Sequence, residues 1–163
     1  MSMAASFLES SRVREGSLYH GRIFMLSDDA SGYDSVESLW GILDRLPESS
    51  DVFYTIRPSV DAWLATIRQH PESLELVAFH DALPIEVQRA IASSFDVHAK
   101  LVLLMHRSLP LEILEMLSRD EEEACRIRVA EHPNTSRSTL ERLLGDQWRP
   151  IRREARSRLQ AGS

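Results

Sequence analysis

The sequence predicts an all-α fold: an α-solenoid of about three to four 26-residue helical repeats behind an N-terminal helical cap. Three observations predict it. From about Leu76 onward His80, His106 and His132 fall at one phase, each closing a short apolar run at residues 76–79, 102–105 and 127–130. The rest of the unit keeps step: Val87, Ile113 and Thr139 line up, then Ile91, Leu117 and Leu143, while Lys100, Arg126 and Arg152 mark the start of the next run and Pro84 agrees with Pro110. Within each unit the apolar positions follow helical spacing. Self-similarity at a fixed period of about 20 to 50 residues marks units that each bury an apolar face they cannot bury alone.

Taken in order, residues 1–53 read as an N-terminal arm and capping helix, and residues 54–163 as the helical-repeat stack. In the arm, Gly16, Gly21 and Gly32 surround the apolar stretch Ile23, Phe24, Met25 and Leu26, which fits a short strand and an irregular arm equally. From Asp34, Val36, Leu39, Trp40, Leu43 and Leu46 follow the i, i+3, i+4, i+7 rule until Pro47 stops the helix. A second helix opens at Pro58, whose missing N–H is not needed at a first helical position. Val60, Trp63, Leu64 and Ile67 form its apolar stripe, and His70 with Pro71 ends it. Each repeat then alternates two short helices. The first opens near Pro84, Pro110 and Ser136; the second is the apolar run ending at each histidine. Asp120, Glu121, Glu122 and Glu123 precede one such run, where negative charge meets the positive end of a helix. As metal ligands they are poorly disposed, because adjacent carboxylates at a helix start point in different directions.

Composition sets limits on function. With 163 residues, 43% hydrophobic and 27% charged, the chain has enough apolar content for one domain with a real core. No apolar stretch approaches the roughly 20 residues that cross a bilayer, and residues 1–6 lack a basic segment followed by an apolar run. The expected location is cytoplasmic, with no membrane partner, so the acceptor-like triplet Asn134, Thr135 and Ser136 goes unglycosylated. Arginine outnumbers lysine eighteen to one, and the formal charge of −6 weighs against general nucleic-acid binding.

Enzyme chemistry is mostly absent from the letters. Residues 16–23 have the glycine spacing of a phosphate loop, but Arg22 and Ile23 stand where Lys and Ser or Thr are required. Elbow, zinc-helix and dinucleotide fingerprints are missing. Cys125 is the sole cysteine, so no intrachain disulfide and no thiolate metal site forms, and its phase with Ala99 and Ile151 marks it as a small buried apolar residue. The three repeat histidines cannot share an ion: stacked helical layers lie roughly 10 Å apart, against about 2.1 Å from zinc to ligand. Each is expected to end a helix and meet its free carbonyls. No cofactor, no metal and no catalytic residue is expected.

The residues Val129, Ala130, Glu131, His132, Pro133, Asn134, Thr135 and Ser136, then Leu140, Glu141, Arg142 and Leu143, then Asp146 and Ile151, Arg152 and Arg153 resemble the leucine-rich-repeat variant family, a HEAT-like α-solenoid. The resemblance is closest over 127–153, weaker over 76–126 and weakest over 54–75; residues 1–53 are not covered. It implies alternating α- and 3-10 helices in a right-handed superhelix, with no catalytic residue attached to the repeat. Some members carry a cysteine-ligated iron–sulfur domain ahead of the repeats, and those cysteines are missing here. Two departures stand out: Gln147, Trp148, Arg149 and Pro150 replace the family's polar loop, and the unit is slightly longer.

The end of the chain is polarised. Between residues 126 and 158 nine arginines face four acids, in a protein of net charge −6. A terminal repeat must be polar to stay soluble, but Arg forks also pair with carboxylates and phosphates, and Trp148 beside Arg149 supplies residue types enriched at binding hot spots. If Pro150 opens a helix, Arg149, Arg152 and Arg156 share one face and Ile151, Ala155 and Leu159 the core-facing one. Trp148, Arg149, Arg152 and Arg156 are therefore the candidate partner-binding residues. The expected function is a non-enzymatic helical-repeat protein that binds another protein, acidic where it meets this end. The alternative is a nucleic-acid-binding helical-repeat protein using the same arginines against phosphates, marked by a steep salt dependence.

Overall fold

The computed structural model describes residues 18–19, 22–23, 35–45 and 51–161. The chain forms two compact units, Met1–Ala30 and Ser31–Ser163. In the first, β1 (Leu18–Tyr19) pairs antiparallel with β2 (Arg22–Ile23), Leu18 opposite Ile23 and Tyr19 opposite Arg22. Ile23 thus belongs to a strand, and residues 24–26 lie outside the described residues.

Among its described residues the second unit is all-α. Ser35 caps α1 (Val36–Leu43) by accepting the Ser38 N–H, and Ser59 caps α3 (Val60–Gln69) by accepting the Ala62 N–H. Pro58 therefore stands one residue ahead of the cap and not at the first helical position, because the Ser59 hydroxyl supplies the start signal that proline lacks. Leu46 and Pro47 lie outside the described residues. Between these helices lies α2 (Asp51–Thr55), so the expected boundary at residue 53 falls inside a helix. In that helix Phe53 is fully buried, with its ring edge-on to His80 at 5.4 Å.

After α3 a 3-10 turn (Pro71–Ser73) leads into α4 (Leu74–Ala78), followed by α5 (Ile85–Ala92), α6 (Val97–Leu103), α7 (Leu111–Leu117), α8 (Glu123–Glu131), α9 (Arg137–Leu143) and α10 (Arg149–Ala161). Helices α3, α5 and α7 pack in succession, as do α4, α6, α8 and α10, and neighbours α5 with α6, α7 with α8 and α9 with α10 close each pair. Both members of each pair are α-helical, and the one described 3-10 turn precedes α4; the alternation of α with 3-10 that the family resemblance implies is not present here. The seven to thirteen residues of α6, α8 and α10 are enough to close i to i−4 bonds.

Three helix starts spaced 26 residues apart share one entry conformation. Pro84, Pro110 and Ser136 stand at the starts of α5, α7 and α9 with nearly one backbone geometry: φ −56, −60 and −65°, ψ 151, 146 and 152°. Proline sets that extended entry through its ring; Ser136 sets it by accepting the Thr139 N–H. Ile91, Leu117 and Leu143 are all buried at one phase, and Ala99, Cys125 and Ile151 at another, each fully so. A fully buried Leu or Ile contributes about 1.5–3 kcal/mol relative to exposure.

The histidines do more than end helices. His80 Nε2 lies 3.2 Å from the Ile56 carbonyl, His106 Nε2 2.7 Å from that of Ala78, and His132 Nε2 2.8 Å from that of His106. The bonds reach back 24, 28 and 26 residues, tying each histidine to an earlier segment of the fold. In His80 and His132 the other nitrogen, Nδ1, accepts the N–H two residues on, of Ala82 and Asn134, which places the ring proton on Nε2 as donor. Burial, reinforced by the Arg57 charge, holds the His80 imidazolium below its ordinary pKa of 6.5. The neutral ring is therefore the folded form, and the unfolded chain binds the extra proton. Stability should be fully present above about pH 6.5 and decline as pH falls from there toward the lower folded value. Urea titrations at several pH values should show this slope between pH 7 and 5 in the parent and a shallower one in His80→Gln; equal slopes would exclude the His80 contribution.

Candidate functional site

The arginine-rich end is built on α10. Pro150 occupies its second position, where no intrahelical N–H is required, and Ile151 and Ala155 are fully buried while Leu159 packs against the core. That stripe fixes which arginines face out. Arg149, Arg153 and Arg156 are exposed, Arg152 is half-buried, and Trp148 is 41% exposed beside them. The structure thus brings the four predicted residues together at the start and outer side of one helix, adding Arg153, which sequence spacing had passed over.

Most of the local positive charge is already committed. Arg126 forms a buried pair with Asp146, Nε to Oδ2 at 2.8 Å, with side chains 8% and 6% exposed. Arg128 pairs with Glu131, Arg137 with Glu141, and Arg142 with Glu115, which also accepts from the Thr139 hydroxyl. The Arg142 guanidinium beside Glu115, aided by Thr139, holds that carboxyl below its usual range. Arg158 donates to the carbonyls of Ala130, His132 and Pro133. It stands 26 residues after His132 and, like that histidine, donates to the carbonyl of an earlier segment. Arg152 donates through Nη1 to the carbonyls of Asp146 and Gln147 at 2.7 and 2.8 Å. Among the described residues this leaves Arg149, Arg153 and Arg156 with neither an ion pair nor a hydrogen bond, three cations on one side of one helix.

Two aspartates, one expected only as part of a helix-capping run and the other quoted only for the family resemblance, form buried ion pairs between helices. Lys100 Nζ meets Asp120 Oδ2 at 2.7 Å, both side chains 9% exposed, in the same relation as Arg126 to Asp146. Each aspartate also accepts, through Oδ1, the N–H two residues on: Glu122 N at 3.0 Å and Trp148 N at 2.8 Å. The signal was available in the letters, since Asp120 and Asp146 are 26 residues apart. It was hidden because Asp120 opens an acidic run whose other members, Glu121, Glu122 and Glu123, are exposed. Only Asp120 of that run makes a side-chain bond to a backbone N–H among the described residues, and it lies ahead of the Glu122 cap of α8.

Burial pushes the Cys125 thiol up to about 11, with Asp120 adding to the effect, so the thiolate is scarce at neutral pH. An aromatic disulfide reagent at pH 8 should leave Cys125 unlabelled in the native protein and label it at once in denaturant; rapid native labelling would contradict its burial. Among the described residues no group of three or more His, Cys, Asp or Glu side chains could hold a metal ion, and no helix is long and apolar enough to cross a membrane. Comparison of the chain with protein-family models, with curated proteins and with solved structures finds no match.

Proposed function

We propose that the chain is a non-enzymatic helical-repeat protein that binds another protein through the arginine-bearing side of α10. In this reading residues 54–163 form a right-handed α-solenoid of three to four 26-residue units, of the leucine-rich-repeat-variant kind, and the partner is acidic at the contact. The observation that carries the reading is the unneutralised set Arg149, Arg153 and Arg156 beside half-exposed Trp148, in a molecule whose other C-terminal arginines are all engaged within the fold. Arginine and tryptophan are the residue types that dominate binding energy at protein interfaces. The negative overall charge favours an acidic protein surface over a polyanion as the occupant.

The test replaces only arginines that make no internal contact. Arg152 is excluded because its substitution would also release two carbonyls. Arg153→Glu with Arg156→Glu should change stability by less than about 1 kcal/mol, as exposed substitutions do. It should also cut capture of the natural partner from its native source at least about tenfold, the scale of a hot-spot loss. Undiminished capture would reject this face. Capture that disappears on nuclease treatment, with a steep salt slope, would assign the same arginines to phosphates.

A further inference from the structure

Of the large apolar side chains that stand exposed among the described residues, the two carried within helices are both on α7: Leu111 at 60% and Met116 at 37%. They flank an outward row at helical spacing, Glu112, Glu115 and Arg119, acidic where α7 begins and basic just past its end. Helix α5, packed beside it, has half-buried Ile85 and Ala90 on either side of Glu86 and Arg89, and Arg89 Nε meets Glu112 Oε1 at 2.6 Å. On α3, the next helix along, Asp61 stands two residues past the Ser59 cap, as Glu86 and Glu112 stand two past Pro84 and Pro110. Arg68 stands nine past its cap, as Arg119 does past Pro110, and all five of these charged side chains are exposed. The face therefore has acid at its helix starts and base at its helix ends, with apolar side chains between.

This polarity selects the occupant. A uniformly acidic or uniformly basic partner would meet like charge at one end of each helix, whereas the same face turned end over end presents base to acid and acid to base. We propose that the α5–α7 face is a contact for a second copy of this chain, the two copies related by a two-fold axis that lies in the contact and crosses α7, so that each α7 runs antiparallel to the other. Glu112 of each copy then faces Arg119 of the other, a contact made twice by symmetry, while Leu111 and Met116 leave water. Glu115, which comes nearest its own counterpart, is already paired within the fold with Arg142 and takes a bond from the Thr139 hydroxyl. The pairs of Glu112 with Arg89 and of Arg119 with Glu115 are exposed ones of little energy, so both side chains are free to turn toward the second copy. The face is small, which places the pair among weak, reversible associations. It uses none of the α10 arginines and is independent of the protein-binding reading above.

Sedimentation of the full chain from about 5 to about 500 µM, the range of weak association, should give an apparent mass that rises toward twice the monomer's. Glu112→Arg and Arg119→Glu should each weaken pairing at least about tenfold, because each sets like charges together at both symmetric contacts. Joined in one chain the two changes restore opposite charges without altering the net charge, so the double variant should pair within about threefold of the parent, as for groups in direct contact. Should a charge variant fail to fold, two milder changes still decide: Leu111→Ser, a polar replacement at an exposed site, should weaken pairing about tenfold, and Arg153→Gln on α10 should leave it unchanged. A chain that stays monomeric across the range, or pairing indifferent to Leu111, would overturn the contact. A double variant no stronger than the single ones would overturn the antiparallel arrangement, and with it the second copy as the occupant that the charges select.

Discussion

Replacing Asp146 by alanine is expected to lower the unfolding free energy by about 3 to 5 kcal/mol, the usual result of stripping one partner from a buried ion pair. Arg126 would keep its place at 7% exposure with its Nε and Nη2 edge uncompensated, and the Trp148 N–H would lose its acceptor in the same step. Burial alone would raise the Asp146 carboxyl, but bonds from Arg126 and the Trp148 N–H, with the charges of Arg126 and Arg152, outweigh it and hold it below its ordinary 3.8. The carboxylate's contribution is therefore present above about pH 3.8 and is lost as pH falls through the lower folded value. Urea unfolding at pH 7 measures the loss. A double replacement, Arg126→Met with Asp146→Leu, should recover most of it, since apolar residues of similar volume often match a buried pair. A fall below about 1 kcal/mol in Asp146→Ala would mean that the pair is solvated and does not join the layers.

Leu117→Ala is expected to cost about 2 to 5 kcal/mol, the range for a buried leucine whose cavity closes only in part. Leu117 is fully buried, and Ile91 and Leu143, 26 residues to either side, are buried as well. The denaturation midpoint should fall with an unchanged slope. By contrast Leu111→Ala, at a site 60% exposed in the same helix, should stay within about 0.5 kcal/mol. Equal losses at the two sites would contradict the assignment of the inner face.

Much of the fold was legible because burial writes itself into spacing. Ile91, Leu117 and Leu143 were placed by period alone, as was the outward face of α10, where Ile151, Ala155 and Leu159 left the arginines one side to occupy. Polar links were harder to see. Sequence spacing places the histidines at local helix ends, whereas His106 and His132 donate to carbonyls 28 and 26 residues back, and nothing in one helix states where its neighbour's carbonyl lies. The same limit hid the bond from Lys100 to Asp120, because the acidic run after Ser118 carries a sufficient local explanation in helix capping. For a related reason helical spacing assigns Arg152 a face, but not the carbonyls of the preceding turn that hold its guanidinium. Phe53 lies within no apolar period of its own, and its core role shows only in space, where its ring packs against a histidine 27 positions away.

The central claim is that residues 54–163 are a stack of interchangeable 26-residue units, and it is tested most directly by lengthening the stack. Duplicating residues 97–122 in tandem inserts one whole unit with its own lysine–aspartate pair and its own histidine link. Stability in such an array is a sum over units and their interfaces. Circular dichroism followed through thermal unfolding should therefore show unchanged helical signal per residue and a single cooperative transition at or above the parent's midpoint. A control duplicating only residues 97–120, two residues short of the period, should lose both. If the 26-residue insertion unfolds as readily as the control, the units are not interchangeable and the repeat account is wrong.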